Sequence, residues 1–314
     1  MSEHSEIITQ DPRMLGIIKL LKRISSYRSH LLVTGESGTG KDLMARAFFQ
    51  FRGCENENFT KIDCAAIPEN LIESELFGHE KGAFSGAVSQ RIGRLENANG
   101  GTVYFDQISE IPVHLQSKLT RVLQEKTFER LGGNATITID IQVIASTKEP
   151  LEHKIRTGSF REDLYYRLSI VPIHLPPLRK RKSDIPLLTN HFLNKFAVKY
   201  HKKKPKISAP ALELLCSYSW PGNVRELENT MERLILTSNS HSEIYPKDLP
   251  LQESFSDNHS IDHFAEINMT IEELEKIYIQ RILKKTRGNK SAAAKILGIN
   301  RKTLLEKRKR YNLD

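Results

Sequence analysis

Cysteine is nearly absent. The 314 residues hold three, Cys54, Cys64 and Cys216, odd in number and far apart. That excludes a disulfide framework and fits a reducing cytoplasm; small buried apolar side chains are the plain reading of all three. Long apolar runs are missing too. None approaches the roughly 20 residues that cross a bilayer, so no membrane partner is expected. Residues 1–10 carry acids and no apolar segment, which excludes a secretory signal in that stretch. No block of sequence repeats, which argues against a solenoid.

What is present supports two domains, or one large domain and a small one. Hydrophobic residues, at 39%, can fill a real core, and charged residues, at 27%, are ordinary for a soluble chain. The net charge of +9 is uneven. Residues 284–310 hold eleven Lys or Arg against one acid, Glu306, a local +10 that leaves −1 for everything else. This asymmetry predicts a polyanion partner for the C-terminal segment and a neutral body elsewhere.

Residues 35–42 read Gly35-Glu36-Ser37-Gly38-Thr39-Gly40-Lys41-Asp42. A short β-branched run at 30–34 precedes them and a helical pattern at 42–51 follows. Strand, glycine-rich loop and helix together make an anion trap. Backbone N–H groups turn inward, the helix N-terminus adds partial positive charge, and Lys41 can reach outer phosphates. The spacing predicts a nucleoside triphosphate as ligand. Further strands are predicted at 59–63, 101–106, 138–145 and 169–173, with a helix at 113–123. The first two strands end on Asp63 and Asp106, at the edge where ligands gather in parallel sheets. Asp106 can hold Mg²⁺ beside a triphosphate. Gln107 follows it; an amide orients water but takes no proton.

From residue 183 the pattern turns helical, with candidates at 184–200, 209–218 and 223–236 punctuated by Pro205, Pro210 and Pro221. Lys202, Lys203, Lys204 and Lys206 read as a solvated connection. Residues 241–268 are polar and aperiodic, the signature of a linker. Thr270 and Glu273 form a capping box ahead of a helix at 271–285. A short helix at 289–297, a turn at Gly298 and a basic helix at 301–311 then read as a helix-turn-helix. Its second helix would enter the major groove, with Asn300, Arg301, Lys302 and Thr303 near bases or phosphates and Lys290 and Lys307 adding charge. The expected organisation is an α/β nucleotide-binding subdomain over 5–178, a helical lid over 179–240, the linker over 241–268 and a DNA-binding unit over 269–314.

Longer motifs carry a resemblance. Residues 73–87, Glu73-Ser74-Glu75-Leu76-Phe77-Gly78-His79-Glu80-Lys81-Gly82-Ala83-Phe84-Ser85-Gly86-Ala87, join the phosphate loop, the run Phe160-Arg161-Glu162-Asp163-Leu164-Tyr165-Tyr166-Arg167-Leu168, Pro176-Pro177-Leu178-Arg179 and Trp220-Pro221-Gly222-Asn223-Val224-Arg225-Glu226-Leu227. Roughly residues 7–240 resemble the central AAA+ domain of bacterial activators of sigma-54 RNA polymerase, the nitrogen-regulatory (NtrC) class, and the last unit resembles the Fis-type helix-turn-helix that follows it. The resemblance implies an AAA+ P-loop sheet with a helical lid and a small all-α DNA-binding domain. It implies ATP and Mg²⁺ as cofactors. It makes Arg161 and Arg167 arginine fingers that reach a neighbouring subunit's site, Arg225 the lid arginine that reads nucleotide in its own subunit, and Thr147 a sensor. Gly82, Ala83, Phe84, Ser85, Gly86 and Ala87 match the loop that touches sigma-54. Read without the family, that segment is a small-residue loop offering one aromatic anchor. The family works as a ring, usually a hexamer, with a dimer as the expected resting form, bound to an upstream enhancer-like DNA site in the cytoplasm. With no receiver or ligand-binding domain read before residue 5, control is expected from a separate protein in trans or from an N-terminal domain outside this sequence.

This chain departs from the family pattern at several positions. Gln107 replaces the usual glutamate, Asp63 a frequent asparagine, Lys148 a common asparagine and Ser85 a threonine. Asp63 and Gln107 suggest a hydrogen-bonded pair with carboxylate and amide exchanged. Asp42 stands where most phosphate loops put Ser or Thr, so metal binding leans on Asp106. Two readings follow. One is an ATP-driven activator that remodels sigma-54 polymerase closed complexes, an ATPase slowed by Gln107. The other is a nucleotide- and DNA-binding regulator with weak or no hydrolysis, acting as a repressor or sensor.

Overall fold

Asp11 opens the first helix. Its carboxylate accepts from the backbone N–H groups of Arg13 and Met14, and Pro12 takes the first helical position of α1 (Pro12–Ile24). The computed structural model describes residues 7–53, 57–237, 243–251, 270–286 and 289–311, which divide into two units, 1–249 and 250–314.

The first unit is built on β1 (Leu31–Thr34), α2 (Lys41–Phe51), β2 (Phe59–Asp63) and α3 (Glu69–Phe77), followed by the hairpin strands β3 (Gly78–His79) and β4 (Arg91–Ile92) and by α4 (Arg94–Asn97). Then come β5 (Thr102–Asp106), α5 (Val113–Glu125), the hairpin strands β6 (Thr127–Glu129) and β7 (Thr136–Thr138), β8 (Gln142–Thr147), α6 (Leu151–Arg156), α7 (Glu162–Leu168) and β9 (Val171–His174). Five strands form one parallel sheet in the order β2-β5-β8-β1-β9. Side chains alternate across it. Leu31, Val33, Tyr104 and Ile144 pack with Met44 and Phe48 on one face. Leu32, Ile62, Val103, Phe105, Val143 and Ala145 pack with Ile72, Leu115 and Leu164 on the other. Both faces are buried, as a parallel sheet requires.

The apolar run at 138–145 is not the single strand its pattern predicts. It divides into the end of β7 and the start of β8, with Asp140 at the break. The Asp140 N–H bonds Asn99 Oδ1 at 2.8 Å and its carboxylate takes Arg28 and Lys126. These polar ties draw the backbone out of the ladder.

The lid comprises α8 (Asp184–Lys199), β10 (Lys206–Ile207), α9 (Ala209–Ser217), α10 (Asn223–Thr237) and β11 (Glu243–Ile244). α8 runs along α10, braced by Lys195–Glu228 at 2.8 Å and Lys199–Glu232 at 2.9 Å. Trp220 is fully buried and donates Nε1–H to Leu215 O at 2.8 Å. Lys202, read as solvated, caps the C-terminal carbonyls of Ile235 and Leu236. The linker begins later than expected. β11 pairs with β10, and Ile244 and Leu249 are buried, so residues 243–249 belong to the lid; 241–242 and 252–268 lie outside the described residues.

The second unit contains α11 (Ile271–Lys285), α12 (Lys290–Ile296) and α13 (Arg301–Arg310). The capping box forms as read: the Thr270 N–H meets Glu273 Oε2 at 2.9 Å and the Glu273 N–H meets Thr270 Oγ1 at 3.3 Å. Ile279, Ile282, Ala293, Ala294, Leu304 and Tyr311 form its core. Small alanines let the short α12 approach its neighbours. Among the described residues no helix is long and apolar enough to cross a membrane.

Candidate functional site

The phosphate loop leaves the C-terminal end of β1, a strand flanked by β8 and β9. The Gly35 N–H bonds Thr147 O at 3.2 Å, tying the loop to the tip of β8. Thr39 is buried and its hydroxyl donates to Glu36 O at 2.8 Å. Lys41 folds over the loop, and its Nζ donates to Gly35 O at 2.7 Å and Glu36 O at 3.0 Å. Burial pulls the Lys41 ammonium below the usual lysine range, against the attraction of Asp106 and Asp42.

Asp63 and Asp106 are register partners at the tips of β2 and β5. Ser146 Oγ donates to Asp106 Oδ1 at 2.7 Å, and Lys61 Nζ lies 3.1 Å from Oδ2. Burial raises the Asp106 carboxyl, but the bonds from Ser146 and Lys61 outweigh it and hold the pKa below the usual carboxylate range. The same Lys61 ammonium bonds Asp42, which also accepts the Tyr104 hydroxyl at 2.7 Å. Burial opposes the Lys61 charge, yet its bonds to Asp42 and Asp106 raise its pKa. Thus a lysine bridges Asp42, which follows the phosphate loop, and Asp106, at the tip of β5. Sequence reading missed Lys61, Tyr104 and Ser146.

Two carboxylates beside a phosphate loop suit Mg²⁺, which takes one or two such groups and completes its shell with water and substrate phosphates. Among the described residues no cluster of three or more His, Cys, Asp or Glu could hold a metal alone.

The expected pair of Asp63 and Gln107 is not formed. Asp63 Oδ1 turns to its own chain and accepts from the N–H groups of Ala65 at 3.1 Å and Ala66 at 3.3 Å. Gln107 sits at φ 55°, a left-handed conformation unusual outside glycine, with its N–H toward Ser146 Oγ at 3.3 Å. Thr147 is fully buried and its hydroxyl donates to Glu149 O at 2.9 Å, so its backbone supports the phosphate loop while its side chain closes a turn. Lys148 is exposed near Glu110, at 3.8 Å.

The lid reaches the loop directly. Arg225 Nη1 donates to Ser37 Oγ at 3.0 Å. Arg179 grips Glu36 through two bonds of 2.7 and 2.5 Å, and Asn223 adds a third at 3.2 Å. With Arg179 first among the causes, the Glu36 pKa falls to about 2. Arg161 and Arg167 make no contact with this loop. Arg161 is exposed and pairs with Asp163 at 2.7 Å; Arg167 is exposed and its charge is felt at His30, before β1.

Residues 82–87 form a turn closed by the Gly82 N–H to Ala87 O at 2.9 Å and the Ala87 N–H to Phe84 O at 3.0 Å. Phe84 is 42% exposed, its ring edge-on to buried His79 at 5.0 Å, and His79 Nδ1 meets Ser74 Oγ at 2.7 Å. Arg130 braces the base through Glu80 at 2.8 Å and Glu96 at 2.6 Å.

In the second unit Lys290, Arg301 and Lys302 are exposed. Asn300 caps α13 by accepting from the Thr303 N–H at 2.8 Å and hydroxyl at 2.9 Å. Lys307 reaches back to Glu275 on α11 at 2.7 Å, bracing the unit.

Three family profiles cover the chain: the Sigma-54 interaction domain over residues 7–174, the AAA+ ATPase lid domain over 179–264 and the Bacterial regulatory protein, Fis family, over 270–311. The regulatory protein AtoC of Escherichia coli (strain K12) is 44% identical over 98% of this chain and 68% of its own length. The formate hydrogenlyase transcriptional activator FhlA of the same organism is 43% identical over 100% of the chain but 45% of its own. The crystal structure of NtrX from Brucella abortus in complex with ATP matches with a TM-score of 0.73 at 33% identity, over 98% of this chain and 69% of that one.

Proposed function

This chain belongs to the sigma-54 interaction family of AAA+ transcriptional activators with a Fis-type DNA-binding unit, and on that premise we propose that it is an ATPase that drives the Phe84 loop against sigma-54 to remodel polymerase closed complexes. The observation that carries this reading is the convergence of Lys41 and lid Arg225 on one phosphate loop, with Asp106 close enough to act on the Lys41 charge and the Phe84 loop exposed elsewhere on the same unit. ATP lies along the loop N–H groups. Lys41, now on the carbonyls of Gly35 and Glu36, would turn to the outer phosphates. Asp106, with Asp42 beside it, would hold Mg²⁺, which when bound would supply charge neutralisation on the phosphates. Gln107 orients water without accepting its proton, so turnover is slow.

Arg161 and Arg167, free of their own phosphate loop, complete a neighbour's site in a hexameric ring, and hydrolysis depends on assembly. Arginine supplied from another subunit contributes about 10³–10⁵ in rate. Lys290, Arg301 and Lys302 hold an upstream DNA site, and the protein acts in the cytoplasm.

The test is ATP turnover against protein concentration, together with open-complex formation by sigma-54 polymerase. Specific turnover should rise steeply with concentration, and Gln107→Glu should raise it by about 10²-fold. Flat specific turnover and no open complexes would overturn the reading.

A further inference from the structure

Asn223 starts α10 and is fully buried in a left-handed conformation, φ 53°. A buried carboxamide must satisfy two N–H donors and its oxygen. Here Oδ1 accepts the Leu178 N–H at 2.8 Å, from the segment that leads out of the sheet. Nδ2 donates to Ser37 O at 3.0 Å and Glu36 Oε2 at 3.2 Å, both on the phosphate loop. The backbone around it repeats the tie. The Val224 N–H bonds Gly38 O at 3.0 Å, and a Cβ on Gly38 would stand 2.2 Å from Gly222 O. Arg225, two residues on, reaches Ser37 Oγ. Two further lid-side arginines hold the same loop: Arg179 on Glu36, and buried Arg181, whose Nη2 donates to Thr39 O at 2.8 Å.

We propose that Asn223 is a positioning residue of the nucleotide site, a latch whose carboxamide clips the phosphate loop to the first turn of the lid helix, so that loop geometry and the delivery of Arg225 change together. The latch rests on the nucleotide reading above and adds its regulation. Nucleotide that reshapes the backbone at 36–38 strains or seats the carboxamide, and the lid turns with it. Glu36 serves this contact; its carboxylate faces Arg179 and Asn223.

The test inverts the contact. Asn223→Asp leaves the acceptor for Leu178 but sets a carboxylate against Glu36. Adding Glu36→Gln returns a donor and acceptor across the same gap, with their order exchanged. Asn223→Gly removes the side chain and keeps the left-handed backbone. A fluorescent ATP analogue is titrated into each full-length variant well below its melting temperature, with melting curves as the control for folding. Asn223→Gly and Asn223→Asp should each weaken binding about tenfold or more, the usual scale for an unmade buried hydrogen bond. The double variant should recover the share of the Asn223→Asp loss that comes from Glu36, while the carboxylate still faces Ser37 O, so it binds more tightly than Asn223→Asp and less tightly than the parent. Single variants that bind like the parent, or a double variant that binds no better than Asn223→Asp, would overturn the latch. A parent that binds no ATP would overturn the nucleotide reading itself, an outcome read from a different sample.

Discussion

The loops over 35–41 and 82–87 are both bracketed by glycines in left-handed conformations, yet they are held in opposite ways. In the first, Gly38 has no room: a Cβ would meet the Gly222 carbonyl at 2.2 Å. In the second, a Cβ on Gly86 would meet nothing within 4 Å. Gly38 is needed for both torsion and packing, Gly86 for torsion alone. The first loop is pinned by Thr147, Asn223, Arg179 and Arg181, while the second is closed by its own backbone and carries an exposed phenylalanine. One is a seat and the other a tool, and the fixed part must not yield while the free part moves.

Four substitutions or conditions probe that contrast. Gly38→Ala should have the largest effect: overpacking of about 1–3 kcal/mol, visible as a lowered melting temperature, and at least an about 100-fold loss of ATP affinity as the lid is displaced. Unaltered ATP binding would erase the distinction between the loops. Phe84→Ala should leave ATP affinity within about twofold yet weaken sigma-54 capture by about 30-fold or more, the mark of an aromatic hot spot, in a binding assay with nucleotide present. Gly86→Ala should cost about 1–2 kcal/mol of unfolding free energy for its left-handed torsion, with ATP titration unchanged.

The smallest effect concerns pH. The Glu36 pKa lies at about 2 in the folded protein against an ordinary 4.5, so its contact with Arg179 contributes fully above pH 4.5 and is lost as pH falls toward 2. The side chain is 41% exposed, and solvent screening keeps the contribution below about 1 kcal/mol. Urea unfolding of the parent and Glu36→Gln should therefore differ at pH 6 and converge near pH 2.

The phosphate loop was legible because its spacing is dictated by backbone geometry and sits between a clear strand and helix. The helix-turn-helix was legible through its capping box, turn and charge. Lys61 and Tyr104 were not, because each lies within a strand read only as apolar, and Ser146 was not, because it falls one residue past the strand predicted at 138–145. The signal was there in the alternation: Lys61 and Tyr104 are register partners, each two residues before a strand-tip acid and so on the same side of the sheet as that acid. The break at Asp140 was hidden by the apolar residues on either side, Ile139, Ile141 and 143–145, and only its ties to Arg28, Lys126 and Asn99 reveal it. The pairing of Asp63 with Gln107 looked natural as an exchange of two groups, but an aspartate that short closes its own turn first. The role of Asn223 could not be read from one segment, since its partners lie at positions 36, 37 and 178.

The lysine lodged between Asp42 and Asp106 has a consequence for what may enter. Lys41 and Lys61, with Arg225 close by, already answer the charge of the two carboxylates before anything arrives. A bare divalent ion finds no surplus of negative charge and must evict a resident cation. A bare triphosphate finds two acids facing it. Metal and triphosphate arriving together would let each resident charge exchange one partner for another, which is how such a site would favour the paired species over either alone.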